Sequence, residues 1–157
     1  MSASWPLAAP GTDGAVGEDT ALERRPGTGP RLRPRVLIVD DQDETREMYA
    51  WCMRAAGWLV EESVDGEQAI VRALEFQPNV IAMDLHLPVL DGLEAMRMLK
   101  LDERTRDIPI VACTGVNPRR SEALAMAAGC DGFVSKPCLP EDLRTLLEEL
   151  ASHRRAP

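Results

Sequence analysis

Basic residues are in short supply. Against 26 Asp and Glu stand only 18 Lys and Arg, a formal net charge of −8. A nucleic-acid binder carries a basic face or stripe, and an anionic membrane surface attracts polybasic segments. Direct DNA or RNA binding and membrane attachment are therefore not expected. No apolar run approaches the roughly 20 residues of a spanning helix. The N-terminus has no charged region followed by an apolar core, so a signal peptide is not expected. Cysteine is limited to Cys52, Cys113, Cys130 and Cys138, with no CxxC pair and no histidine nearby at metal-ligand spacing. Cys113 and Cys130 sit in or beside apolar runs and read as small buried hydrophobes in a reducing compartment. The expectation is a soluble, cytoplasmic protein.

The 157 residues suit one domain, with 45% apolar residues to build a core. Residues 1–34 differ from the rest. Five prolines, five glycines and a balance of four acids with four arginines leave little apolar area to offset the entropy of ordering. This stretch reads as a disordered Pro/Gly-rich tail, and residues 35–153 as the folded domain.

From Arg35 onward, short apolar runs alternate with helical patterns. VLIV at 36–39 ends in Asp40-Asp41, and a helix follows from Glu44 to Ala56, with Asp41 or Asp43 as N-cap and Gly57 as its stop. WLVEESV at 58–64 reads as an edge strand, and Gly66–Phe76 as a helix with Ala69, Ile70, Ala73 and Leu74 on its apolar face. VIAMD at 80–84 is an apolar strand that again ends in an acid. Asp91-Gly92 reads as a turn before a helix from Leu93 to Leu101. IPIVACT at 108–114, a helix from Arg119 to Ala128 opened by Pro118, GFVSK at 132–136 and a helix from Pro140 to Ala151 complete the series. Five β/α units in succession predict an α/β fold with a parallel sheet covered on both faces. Right-handed crossovers give a three-layer doubly wound sandwich, flavodoxin-like, with five helices and strand order 2-1-3-4-5.

In such sheets ligands sit beyond the carboxyl ends of the strands, at the switch point between the first and third. Asp40 and Asp41 end the first strand and Asp84 the third. Three converging carboxylates repel one another unless a cation intervenes. Mg²⁺ is the natural choice, since it prefers oxygen ligands and often completes its shell with phosphate oxygens. Thr114 ends the fourth strand and Lys136 the fifth, where a hydroxyl and an ammonium would meet phosphoryl oxygens. A cis Lys136–Pro137 bond is compatible with this pattern.

The motifs VLIVDD, MDLHLPVLDG, VACTG and AGCDGFVSKP, in this order and spacing, resemble the response-regulator receiver domain of two-component signalling, in particular the stand-alone, chemotaxis-regulator-like kind. The resemblance runs from Arg35 to about Ala151 and implies residue roles. Asp84 matches the phosphorylated aspartate, with Lys136 and Thr114 as its catalytic companions. Asp40 and Asp41 match the acidic pair that organises Mg²⁺ with Asp84, and His86 the position whose backbone carbonyl is a metal ligand. Thr114 and Phe133 match the switch pair. The implied function is acceptance of a phosphoryl group from a histidine kinase or histidine phosphotransfer protein. A protein-binding surface then switches, with no external substrate turned over. Gly115 departs from the alanine frequent in the family and leaves extra room near the phosphoryl group; His86 and Val116 occupy variable positions beside the site.

Two other readings stand beside this one. Asp41-Gln42-Asp43-Glu44-Thr45 fits the DxDxT motif of haloacid-dehalogenase-like phosphatases, with Asp41 as nucleophile. That family expects an acidic pair downstream of the lysine, yet Pro137, Cys138 and Leu139 follow Lys136, and Asp84 has no role. The other is a non-phosphorylated pseudo-receiver used for binding alone. The downstream protein is not readable. A homodimer through the face of the fourth helix, fifth strand and fifth helix is compatible but not required. The chain is either a stand-alone receiver or a piece of a longer protein.

Overall fold

The computed structural model describes residues 22–23 and 31–153. The chain divides into two compact units between Leu32 and Arg33. In the first, Leu22–Glu23 and Arg31–Leu32 form a two-residue antiparallel ladder. The remainder of residues 1–30, expected to be a disordered tail, lies outside the described residues.

The second unit begins two residues before the expected boundary. The Leu59 N–H donates to the Pro34 carbonyl at 2.9 Å, and Arg33 Nε to the Gly57 carbonyl at 3.0 Å. Both residues have the composition of the tail, but their polar groups satisfy backbone at the start of the second strand.

Five strands form one sheet: β1 (Arg35–Val39), β2 (Leu59–Ser63), β3 (Val80–Asp84), β4 (Ile110–Thr114) and β5 (Gly132–Ser135). Every pairing is parallel and the order is β2-β1-β3-β4-β5, as the alternating sequence pattern predicts. The helices are α1 (Asp43–Ala55), α2 (Gly66–Phe76), α3 (Gly92–Leu101), α4 (Pro118–Ala128) and α5 (Pro140–His153). β3 and β4 are buried throughout, while β2 is half-buried along most of its length, in keeping with its edge position.

Alternate strand residues feed two cores. Leu37, Ile81, Met83 and Ile110 pack with Ala69 and Ala73 of α2, Met96 and Leu99 of α3, and Ala125 of α4. Val36, Ile38, Val80 and Val111 face the other way, onto Tyr49 and Met53 of α1 and Leu143 and Leu147 of α5. Each large aliphatic chain buried in this way contributes about 1.5–3 kcal/mol by removal from water. These two layers hold the strand ends in fixed relation.

Helix starts differ by one residue from the sequence reading where a side chain decides them. Asp40 Oδ1 accepts the Gln42 N–H at 2.9 Å, so the chain turns early. Gln42, rather than Asp41 or Asp43, is the N-cap of α1 and makes no side-chain cap bond. Asp91 is more than a turn residue: its carboxylate caps α3 by accepting the Glu94 N–H at 3.0 Å. Gly92 follows because a Cβ there would lie 2.0 Å from the Asp84 carbonyl oxygen. Among the described residues no helix is long and apolar enough to cross a membrane.

Candidate phosphoryl and cation site

At the carboxyl end of the sheet, β1, β3, β4 and β5 bring together residues far apart in sequence. One carboxylate oxygen from each of Asp40, Asp41 and Asp84 falls within 4.8 Å of the others. Asp40 and Asp84 are buried, at 2% and 9% exposure, and Asp41 is exposed. Lys136 bridges the two buried acids: its Nζ is 2.9 Å from Asp84 Oδ2 and also donates to Asp40 Oδ2. Burial alone would lower the Lys136 pKa, but the hydrogen bonds and charges of Asp40 and Asp84 outweigh it and hold the ammonium above its usual value.

Main-chain contacts fix these side chains. The His86 N–H donates to Asp84 Oδ1 at 3.0 Å, so both oxygens of Asp84 are held. The Lys136 N–H donates to the Thr114 carbonyl at 2.9 Å, which extends the β4–β5 pairing to the lysine. The Lys136–Pro137 bond is cis. Thr114 is fully buried, and its hydroxyl accepts the Val116 N–H at a long 3.4 Å.

An open cavity of about 560 Å³ lies over these groups, with Asp84, His86, Thr114 and Lys136 on its floor and Thr45 and Met48 of α1 along one wall. Phe133 does not line it. It sits on β5 opposite Ala112, half-buried against the core on the α2–α4 side.

Lys136 meets two of the three carboxylates and leaves Asp41 without an ammonium contact, so the site has room electrostatically for a further cation. All three donors are hard oxygens, with no thiolate or imidazole among them. That set suits Mg²⁺ better than a soft transition metal.

Two contacts were not anticipated from sequence. Arg46, on the first turn of α1, reaches back to the Asp40 carbonyl at 3.0 Å. Tyr49 places its hydroxyl 3.2 Å from Cys138 Sγ, 89 residues away, joining α1 to the segment after Lys136. The i, i+3 spacing of Asp43 and Arg46 is the one local signal in the sequence, and by itself it specifies an ordinary ion pair.

Residues 36–148 match the response regulator receiver domain model. The "DNA-binding dual master transcriptional regulator RpaA" of Synechocystis is 33% identical over 110 residues, covering 70% of this chain and 46% of that protein. The chain thus spans about half the length of the first curated relatives it matches. The polar-differentiation response regulator DivK of Brucella ovis is 32% identical over 112 residues, with 71% of this chain and 91% of DivK covered. Among solved structures, the receiver domain of a Pseudomonas aeruginosa sensor histidine kinase, which has a magnesium ion coordinated in its active-site cleft, superposes with a TM-score of 0.71. It is 28% identical, covering 76% of this chain and 98% of that domain. A parallel five-stranded sheet whose strand ends gather three aspartates, a threonine and a lysine thus coincides with a family match over most of the chain, and the protein belongs to the response regulator receiver domains.

Proposed function

We propose that this receiver domain accepts a phosphoryl group from a phosphohistidine onto Asp84, with Mg²⁺ as cofactor. The observation that carries the reading is the contact of Lys136 Nζ with Asp84 Oδ2, made beside the Asp40 and Asp41 carboxylates. Asp40, Asp41, Asp84 and the His86 carbonyl would hold the cation, which when bound supplies positive charge to the phosphoryl oxygens. An Asp84 carboxylate oxygen attacks phosphorus in line. The new O–P bond forms as the N–P bond to the donor imidazole breaks, and the imidazole leaves with the electron pair. Lys136 stabilises the negative charge on the transferring group. Water later hydrolyses the acyl phosphate and returns Asp84 to its carboxylate form. Nothing else is turned over, so the domain signals rather than serving metabolism.

Thr114 lines the same cavity as Asp84, and its hydroxyl, which accepts from the Val116 N–H, keeps its O–H to donate to the phosphorylated side chain. Its movement would open space for Phe133 on the neighbouring strand and bias the α4–β5–α5 face between two states. The phosphodonor would be a histidine kinase or a histidine phosphotransfer protein in the cytoplasm, and the output a protein contact, in line with the acidic net charge. A homodimer through that face would serve the same end.

The test is mass spectrometry after incubation with acetyl phosphate and MgCl₂. The expected result is a gain of one phosphoryl group in the wild type and none in Asp84→Asn. Label retained in Asp84→Asn but lost in Asp41→Asn would point instead to a phosphatase-like nucleophile. A folded wild type that gains nothing would point to a binding module.

A further inference from the structure

We infer that Arg46 is a positioning residue for the cation site: it fixes the turn that carries Asp40 and Asp41 and thereby sets the affinity for Mg²⁺. Its side chain is 12% exposed although it starts from the first turn of a surface helix. It makes three contacts: with the turn after β1, with its own helix and with β2. Nη1 donates to the Asp40 carbonyl at 3.0 Å, Nη2 to Asp43 Oδ1 at 2.6 Å, and Nε faces Glu62 Oε1 of β2 at 3.3 Å. Only a planar guanidinium offers donors in these directions at once; the point charge of a lysine does not.

The consequence for Asp40 is complete restraint. Its Oδ1 accepts the Gln42 N–H, its Oδ2 accepts Lys136, and its main-chain carbonyl accepts Arg46. The first two bonds hold the side chain, and the third holds the peptide that leads into Asp41. Asp41 is exposed, so its direction depends on that peptide. Groups that orient metal ligands without touching the ion typically alter affinity by about 10- to 100-fold.

Position and charge predict opposite signs here. A cation near an acidic site repels Mg²⁺, so by Coulomb's law alone its removal would tighten binding. The Arg46 charge, however, is already matched by Asp43 and Glu62, and solvent and salt screen the remainder. Restraint of the turn is the larger effect, and removal of Arg46 weakens binding.

The experiment is an amide NMR titration of the full chain with MgCl₂, following the Gln42 and His86 signals. Arg46→Ala is expected to raise the Kd about tenfold. Arg46→Lys, which keeps the charge but reaches fewer partners, should recover part of that loss. Arg54→Ala is the control, because Arg54 pairs with Glu62 at 2.7 Å and does not bond the Asp40 carbonyl; its Kd should stay within about twofold of wild type. Should Arg46→Ala lose its amide dispersion, Arg46→Gln is read in the same way. Tighter binding, an unchanged Kd in the Arg46 variants, or an equal loss in Arg54→Ala would overturn the inference. It rests on the Mg²⁺ reading of the acidic cluster. A wild type that does not respond to MgCl₂ sinks both, whereas a normal wild-type response with a normal Arg46→Ala titration sinks this inference alone.

Discussion

The ammonium of Lys136 lies 2.9 Å from Asp84 Oδ2 while also meeting Asp40 Oδ2, so one side chain ties the end of β5 to the ends of β1 and β3. Its removal leaves two buried carboxylates and exposed Asp41 without that counter-charge. The pair is neither fully buried nor fully wet, with Lys136 at 17% side-chain exposure. The cost therefore falls between that of a surface pair and that of a buried one. Lys136→Met is expected to lower stability by about 1–3 kcal/mol in EDTA, with part of the loss restored by MgCl₂. Urea denaturation in the two buffers measures it. Equal stability of variant and wild type in EDTA would mean that the contact is electrostatically idle.

Thr114 and Phe133 stand close along neighbouring strands, since Thr114 pairs with Ser135 and Ala112 with Phe133. Their side chains do different things: the hydroxyl lines the cavity and the ring packs on the core. Communication between them would therefore need Thr114 to move. A Phe133→Trp reporter should change its fluorescence when Asp84 is phosphorylated by acetyl phosphate. Thr114→Ala in the same background should keep the phosphoryl gain and lose most of that change. A full change without the hydroxyl would assign the switch elsewhere.

Two glycines beside the site should respond oppositely to the same substitution. A Cβ on Gly92 would stand 2.0 Å from the Asp84 carbonyl oxygen and 2.8 Å from the Leu85 Cα, both backbone atoms with little freedom to retreat. A Cβ on Gly115 would meet Lys136 Cβ and its carbonyl oxygen at 3.6 Å, an ordinary contact. Gly92→Ala should thus cost more than about 2 kcal/mol and disturb Asp84 directly, whereas Gly115→Ala should stay within about 0.5 kcal/mol. Thermal unfolding compares the two. The spare room at Gly115, expected from sequence, amounts to space for one methyl group.

What could be read from sequence follows from where the information is local. Apolar runs that end in Asp40, Asp84, Thr114 and Lys136 announce both the strands and the ends that form the candidate site, because parallel strands put all their carboxyl ends on one side. The handedness of the crossovers then places the helices on both faces, and the flavodoxin-like order is the one expected for five such units in a domain of this size. Helix starts were less legible, since the start of α1 depends on a bond from Gln42 back to Asp40 that competes with ordinary capping. Arg46 was hidden for a different reason. Two of its partners, the Asp40 carbonyl and Glu62, become neighbours only after β2 has paired with β1. Arg33 and Pro34 carry the composition of the preceding tail, and only their hydrogen bonds assign them to the folded unit.

Alkaline pH should destabilise the domain through buried thiols and a phenol, of which Cys113 pairs with Asp84 and Tyr49 lines the cavity. Burial, followed by the nearby Cys138, pushes the Cys113 thiol well above its usual pKa. Burial, then Asp131, raises Cys130, and burial, then the hydrogen bond with Cys138, raises the Tyr49 phenol. In the unfolded chain these groups titrate near about 8.5 for cysteine and about 10 for tyrosine. The folded values are higher in all three cases, so above about pH 8.5 the unfolded chain binds fewer protons than the native one. Stability is fully present below that point and is lost as pH rises towards the folded values. The melting temperature should therefore be level near neutrality and fall increasingly from about pH 9 upward. Cys113→Ala should begin lower, because the side chain is in the core, but fall less steeply over the same range. Calorimetry across pH 7 to 11 tests the sign: parallel curves for the two proteins would show that the buried thiol contributes nothing to the alkaline limb.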